Sequence, residues 1–211
     1  MSLFEFDKKQ QAKIIIGTDE AGRGPAAGGV WASAVCFFDN IDLSLFSELN
    51  DSKKLTSKKR ESLYDTIKEN SYYSIKAVTV EKIEEINILQ ASLLAMNYAV
   101  LDVINQIHNK DIMVLVDGNK LINNFSYPQK FVVKGDSKSA SIAAASILAK
   151  VNRDRYMDKI DKEFPCYNWK KNKGYLTKAH IEAIQNQGVS KYHRLSFLKN
   201  IIKTPKKIQG Q

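Results

Sequence analysis

Ile14, Ile15 and Ile16 form a short β-branched run that leads through Gly17 into Thr18-Asp19-Glu20. After a glycine-rich turn over residues 21–29, a second apolar run over 30–38 reads as a buried strand. Residues 39–55 read as a loop, and 56–70 have helical composition, with Leu63 and Ile67 four apart. Over 71–80, Tyr73, Ile75, Ala77 and Thr79 alternate with Tyr72, Ser74, Lys76 and Val78, which is strand periodicity. Asn87, followed three residues later by Gln90, resembles a capping box. It predicts a helix to about Ile107 with the apolar stripe Ile88, Ala91, Leu94, Ala95, Tyr98, Leu101 and Ile104. Residues 112–116 and 130–133 are two further strands, ending in Asp117-Gly118 and Lys134-Gly135-Asp136. A long helix follows over about 139–162, and its Ala143, Ala144, Ala145 and Ser146 permit close packing. Two shorter helices come after the basic stretch 170–178. The order β-β-α-β-α-β-β-α with a helical tail predicts an α/β fold on a mixed five-stranded sheet.

Composition narrows the class. With 44% apolar residues over 211 positions the chain can bury a core, which excludes wholesale disorder and makes one domain the default. No uncharged apolar run approaches the roughly 18 residues of a membrane helix. The N-terminus lacks the continuous apolar stretch of a signal peptide. Cys36 and Cys166 make neither a disulfide framework nor a zinc half-site, and Cys36 reads as a buried thiol. A cytoplasmic protein with no membrane partner is the expectation.

Charge adds a direction. Lys and Arg number 32 against 23 Asp and Glu, a net +9. Residues 137–211 hold 16 basic and 5 acidic residues, or +11, while everything before them sums to −2. The C-terminal third therefore suits a polyanion.

Three strands lead into acids: Asp19-Glu20, Asp117 and Asp136. Carboxylates gathered at strand ends suit hard divalent cations, and four of them could hold two Mg²⁺ and clamp a phosphodiester. Each also has a plain reading: a polar turn for Asp19-Glu20, a turn dipeptide for Asp117-Gly118, and a helix N-cap for Asp136. Neighbouring strand residues face opposite sides, so Asp19 and Glu20 converge only if the strand ends or bends there. Gly22 and Gly24 flank Arg23 and let backbone approach a ligand, as reading a ribose hydroxyl requires; a tight turn with a solvated Arg is the alternative. Strand-like residues rather than a helix follow these glycines, which disfavours a dinucleotide site. His108, His180 and His193 accompany no nucleophile or metal motif and read as structural or surface residues. Trp169-Lys170-Lys171-Asn172-Lys173-Gly174-Tyr175 interleaves bases with aromatics, either a nucleic-acid surface or an ordinary loop.

Together, Asp19-Glu20-Ala21-Gly22-Arg23-Gly24-Pro25, Asn50-Asp51-Ser52-Lys53-Lys54-Leu55 and Asn87-Ile88-Leu89-Gln90-Ala91 resemble motifs of the ribonuclease HII family, type 2 ribonuclease H. Val116-Asp117-Gly118, Lys134-Gly135-Asp136, Arg153-Asp154, Lys173-Gly174-Tyr175 and His193-Arg194-Leu195-Ser196-Phe197 continue the resemblance in the family's order. It implies a ribonuclease H-like catalytic domain over 1–165 and a basic helical extension over 166–211 packed on it. It also implies a metal-dependent endonuclease, expected as a monomer, that cuts the RNA strand of RNA–DNA hybrids and single ribonucleotides in duplex DNA. The cut falls 5′ of the ribonucleotide and leaves 3′-hydroxyl and 5′-phosphate ends.

By motif, the implied catalytic and metal residues are Asp19, Glu20, Asp117 and Asp136, holding Mg²⁺ or Mn²⁺ in a two-metal arrangement. Gly22, Arg23 and Gly24 would read the ribose 2′-hydroxyl, and Tyr175 the RNA-to-DNA junction. Ser52, Lys53, Asn87 and Lys173 would contact phosphate or backbone. Asp154, between Arg153 and Arg155 on the long helix, reads as structural. The chain departs from the family at Ala26-Ala27-Gly28-Gly29, where Gly29 replaces a usual proline and is expected to loosen the turn. The tail from Thr204 to Gln211 has no clear clamp-binding motif. The sister family ribonuclease HIII carries a sizeable N-terminal domain, for which the 18 residues before Asp19 leave no room. A non-catalytic nucleic-acid-binding module would leave the four acids unexplained.

Overall fold

Strand β1 (Ile14–Ala21) is the centre of the sheet in the computed structural model, which describes residues 2–50, 52, 55–107 and 111–202. Lys53, His108 and the tail from Thr204 lie outside the described residues. β1 pairs antiparallel with β2 (Val30–Phe37) and parallel with β4 (Ile112–Asp117). β3 (Ser71–Val78) lies antiparallel outside β2, and β5 (Gln129–Val132) parallel outside β4, giving the order β3-β2-β1-β4-β5.

Alternation along β1 sends Ile14 and Ile16 to one face and Ile15 and Gly17 to the other. On the first face lies helix α4 (Ile88–Ile104), packed on Ile16, Ala32, Ala34, Val114 and Val116. Its buried side is Ala91, Leu93, Ala95, Met96, Ala99, Val100 and Val103, whereas Tyr98 and Leu101 are exposed. The predicted stripe was thus turned too far around the helix. The sequence is apolar on most sides there, so periodicity alone does not choose the face. Each large side chain fully buried on it contributes roughly 1.5–3 kcal/mol. Asn87 joins α4 to the short α3 (Val80–Ile86), which it meets at 119°. Its φ of +66° turns the chain, and its Oδ1 accepts from the Leu89 and Gln90 N–H groups. Gln90 does not return the bond; its Oε1 accepts from Asn123 instead, so only half of the capping box forms.

On the second face, α5 (Ala140–Glu163) comes so close that a Cβ on Gly17 would sit 2.2 Å from the Ser141 carbonyl carbon. The alanines predicted to allow close packing do so: Ala143, Ala144 and Ala145 are buried with Val35 and with Leu63 and Ile67 of α2 (Ser57–Glu69). An N-terminal helix the pattern did not announce, α1 (Leu3–Lys8), is closed by a Ser2–Glu5 capping box. Its Phe4 packs 5.1 Å from the Phe37 ring, and Asp7 Oδ2 accepts the Ser141 N–H at 2.8 Å, capping α5.

The C-terminal elements, α6 (Trp169–Asn172) and α7 (Lys178–Gln187), close over Ala26, Ala27, Met157 and Ile160. Trp169 is fully buried and stacked on Tyr167, so it is core rather than part of a nucleic-acid surface. It belongs to a polar chain. The Ser190 N–H donates to His193 Nδ1 (3.0 Å), which puts the proton of that neutral ring on Nε2. His193 Nε2 donates to His180 Nε2 (3.1 Å), which also accepts the Trp169 indole N–H (3.1 Å). His180 Nδ1 then donates to the Tyr175 carbonyl (2.9 Å).

Burial holds His193 neutral, with its pKa down to about 3, and lowers His180 as well. A histidine whose folded pKa lies below the unfolded value contributes its full stability above about pH 6.5 and loses it on acidification. Stability is expected to fall by about 2 kcal/mol from pH 6.5 to 5 through His193. Urea unfolding of wild type and His193→Asn at both pH values checks this: the pH-dependent difference should shrink by that amount in the variant, leaving the part that His180 contributes. An unchanged slope would mean that the imidazole is charged or solvated in the native state.

Candidate active site

The parallel ladder of β1 with β4 ends at Thr18–Val116, while the antiparallel ladder with β2 runs on to Ala21. Asp19 and Glu20 therefore lie inside a strand, not beyond its end as the sequence implied. They keep strand alternation. Asp19 faces α5 and accepts from the Ser146 hydroxyl, whereas Glu20 faces α4 and accepts from the Ser92 hydroxyl. Asp117, the last residue of β4, lies at the same carboxyl end of the parallel strands, where open α/β sheets bind ligands.

Asp117 is close enough for its charge to act on both neighbours. Burial pushes the Asp19 carboxyl well above the ordinary carboxylate range, and the charges of Glu20 and Asp117 push it the same way. Burial also raises Glu20, Arg23 draws it back and Asp117 raises it again. Asp117 Oδ1 accepts the Gly135 N–H at 2.7 Å, which ties β4 to the 3-10 turn Gly135–Ser137 and to its buried Asp136.

The donor set is all carboxylate and its charges repel, with Arg23 Nη1 3.5 Å from Glu20. Hard, anionic oxygen ligands of this kind fit Mg²⁺ or Mn²⁺. Each carboxylate with a hydrogen bond described above is tied off separately, and among the described residues no three Asp, Glu, His or Cys side chains form a ready-made metal cluster. Bringing three or more of them onto one ion would require side-chain rotation.

Beside Glu20 opens a cleft of about 420 Å³ lined by Gly22, Arg23, Gly24, Ser52, Arg60, Ser146, Lys150, Arg153 and Tyr175. Of the residues singled out by sequence, Glu20, Gly22, Arg23, Gly24, Ser52 and Tyr175 meet here. The ring of Tyr175 is half exposed and leans over Gly24, where an added Cβ would meet it at 3.3 Å. Ser52 is buried, its Oγ 2.8 Å from Ser146 Oγ, so Ser146 links the 52 loop to Asp19. Lys173 and Asn87 are not in the lining: Lys173 Nζ is ion-paired with Asp158, and Asn87 is occupied as a cap. Asp154 accepts from Lys150 Nζ at 2.7 Å.

Several site residues escaped sequence reasoning. Arg60 donates to the Ser52 and Leu55 carbonyls (2.7 and 2.6 Å) and so shapes the 52 loop. Arg153 is buried against Gly22 and donates to the Ala27 and Lys173 carbonyls. Arg194, fully buried, donates to five carbonyls of the glycine-rich turn. Gly28 and Gly29 are among the acceptors, so the turn that Gly29 was expected to loosen is fastened from behind. The one available signal was the His193-Arg194 motif itself, which states no partner.

Ribonuclease H2 from Pyrococcus horikoshii superposes with a TM-score of 0.68 at 24% identity, covering 89% of this chain and 96% of that one. The structure of the PCNA:RNase HII complex from Archaeoglobus fulgidus gives 0.70 at 22%, covering 93% and 98%. These likenesses define the class: a ribonuclease H-like sheet with flanking helices. A family model described as Ribonuclease HII matches residues 16–200. A Pelagibacter ubique protein named Ribonuclease HII is 49% identical over 185 residues, 88% of this chain and 96% of that protein. The chain belongs to the ribonuclease HII family, and is a hydrolase with ribonuclease H endonuclease activity. Enzymes of this class act on RNA–DNA hybrids and use divalent metal ions.

Proposed function

We propose that this enzyme cleaves the RNA strand of RNA–DNA hybrids and also single ribonucleotides embedded in duplex DNA, on their 5′ side, leaving 3′-hydroxyl and 5′-phosphate ends. The observation that carries this reading is the juxtaposition of an acidic cluster with a cleft walled by Gly22–Gly24, Tyr175 and the cations Arg60, Lys150 and Arg153. Asp19, Glu20, Asp117 and Asp136 would hold Mg²⁺ or Mn²⁺, which when bound supplies an activated water and neutralises the leaving oxygen. Arg60 and Lys150 take up backbone phosphates, the Gly-Arg-Gly peptides read the 2′-hydroxyl, and Tyr175 stacks on the sugar at the RNA-to-DNA junction. Lys173 and Asn87 contribute by holding neighbouring backbone. The basic C-terminal third, packed beside this cleft, grips the duplex of a monomeric, cytoplasmic enzyme in ribonucleotide and primer removal.

The test is an end-labelled DNA duplex with one ribonucleotide, incubated with and without Mg²⁺. A metal-dependent cut 5′ of the ribonucleotide is expected, and no cut there sinks the assignment. Tyr175→Ala is expected to lower kcat/KM at a lone ribonucleotide by roughly tenfold or more, with a smaller loss on an all-RNA strand. Equal losses on both substrates would remove the junction role.

A further inference from the structure

Buried arginines ordinarily pair with carboxylates, but among the described residues no ion pair involves Arg194. Its guanidinium is satisfied by peptide oxygens instead. Nε donates to Gly28 O (2.8 Å), Nη1 to Arg23 O (3.3 Å) and Pro25 O (2.8 Å), and Nη2 to Gly22 O (2.8 Å) and Gly29 O (3.1 Å). The Phe197 ring covers the guanidinium at 5.2 Å.

This arrangement dictates where the opposite edges of those peptides point. In a trans peptide the C=O and the following N–H are antiparallel. The Pro25 oxygen turns inward to Arg194, and the Ala26 N–H accordingly points away and reaches Gly174 O at 2.9 Å. The Gly22 and Arg23 oxygens also turn inward, so the Arg23 and Gly24 N–H groups point away together. Among the described residues neither of these two N–H groups has a backbone acceptor. Two adjacent N–H groups turned the same way form a small oxygen-binding nest, and Gly22 (φ +106°) supplies the backbone turn it needs. A buried cation behind the carbonyls adds to the positive potential at the outer edge.

We propose that Arg194 is the positioning residue for substrate recognition: by gathering the Gly22 and Arg23 carbonyls it holds the Arg23 and Gly24 N–H groups as a paired donor for the ribose hydroxyl oxygen. The inference rests on the proposed reading of the 2′-hydroxyl by Gly22–Gly24 and names what sets that geometry. A lysine keeps the charge, but its three donors on one nitrogen cannot span five oxygens arranged around a planar fork.

The test measures affinity without divalent metal, by fluorescence anisotropy in a chelating buffer. Two duplexes of one sequence are compared, one carrying a single ribonucleotide and one all-deoxy. Wild type should prefer the ribonucleotide duplex. Arg194→Lys should lose about tenfold of that preference while its affinity for the all-DNA duplex stays within about twofold. Should Arg194→Lys fail to give a cooperative melting transition, Phe197→Leu replaces it. That change uncovers the guanidinium and leaves its acceptors, and it should reduce the preference about threefold. A folded variant that keeps the wild-type preference and merely melts lower makes Arg194 purely structural and overturns the proposal. A wild type without preference overturns the underlying reading of the loop, and the proposal with it.

Discussion

Asp19→Asn is expected to lower cleavage by roughly a thousandfold, about 4 kcal/mol of barrier, while raising the melting temperature of the metal-free protein. The two halves of this result have one cause. Asp19 is buried beside Glu20 and Asp117, and both burial and their charges raise its pKa. A carboxyl raised above its unfolded value contributes stability at pH below the unfolded pKa, and that contribution is lost as pH rises through the folded one. Burying this carboxyl beside two others therefore weighs on the metal-free fold at neutral pH. Asparagine has nearly the same shape and keeps an oxygen for the Ser146 hydroxyl and the Glu20 N–H, which Asp19 Oδ1 accepts at 2.6 Å. It removes the charge that draws in a divalent ion. Calorimetry in chelator together with a cleavage assay in Mg²⁺ checks both halves. Lost activity with a lowered melting temperature would make Asp19 a structural carboxylate.

Gly17→Ala is expected to cost about 3 kcal/mol or more, at the upper end of overpacking effects, and to reduce activity as well. An alanine Cβ there would lie 2.2 Å from the Ser141 carbonyl carbon and 2.3 Å from the Ile142 nitrogen. Both are backbone atoms in the first turn of α5, so no side-chain rotation relieves the clash and the helix must lift off β1. Lifting α5 also moves Ser146 from Asp19, which stands two residues beyond Gly17 on the same face of β1. Denaturant unfolding gives the stability loss. A variant as stable as wild type would show that the β1–α5 contact has slack.

The strand–helix order was legible because apolar runs, alternation and turn residues act locally. The three strands leading into acids could be seen for the same reason. What the pattern missed was local in another way. Helix α1 is six residues long and too short to declare a period. α4 is apolar around most of its circumference, so Tyr98 and Leu101 were indistinguishable from the core positions that Met96 and Val100 occupy. Trp169 stands among lysines, which left a stacking platform and an ordinary loop aromatic both open; folding buries its indole, whose N–H is accepted by His180 eleven residues on.

The sequence by itself determined the order of the five strands and the longer helices, the acids leading from the strands, the glycines around Arg23 and the concentration of positive charge after Asp136. Each of these is a property of neighbours in the chain. Only the tertiary structure decided that Asp19 and Glu20 face opposite sides of the sheet yet share the field of Asp117, because strand alternation acquires a direction only once helices cover each face. Only it showed that Arg194 fastens the glycine-rich turn. Its five acceptors lie 165 to 172 residues away along the chain, and a buried guanidinium's role is defined by the oxygens that folding brings to it.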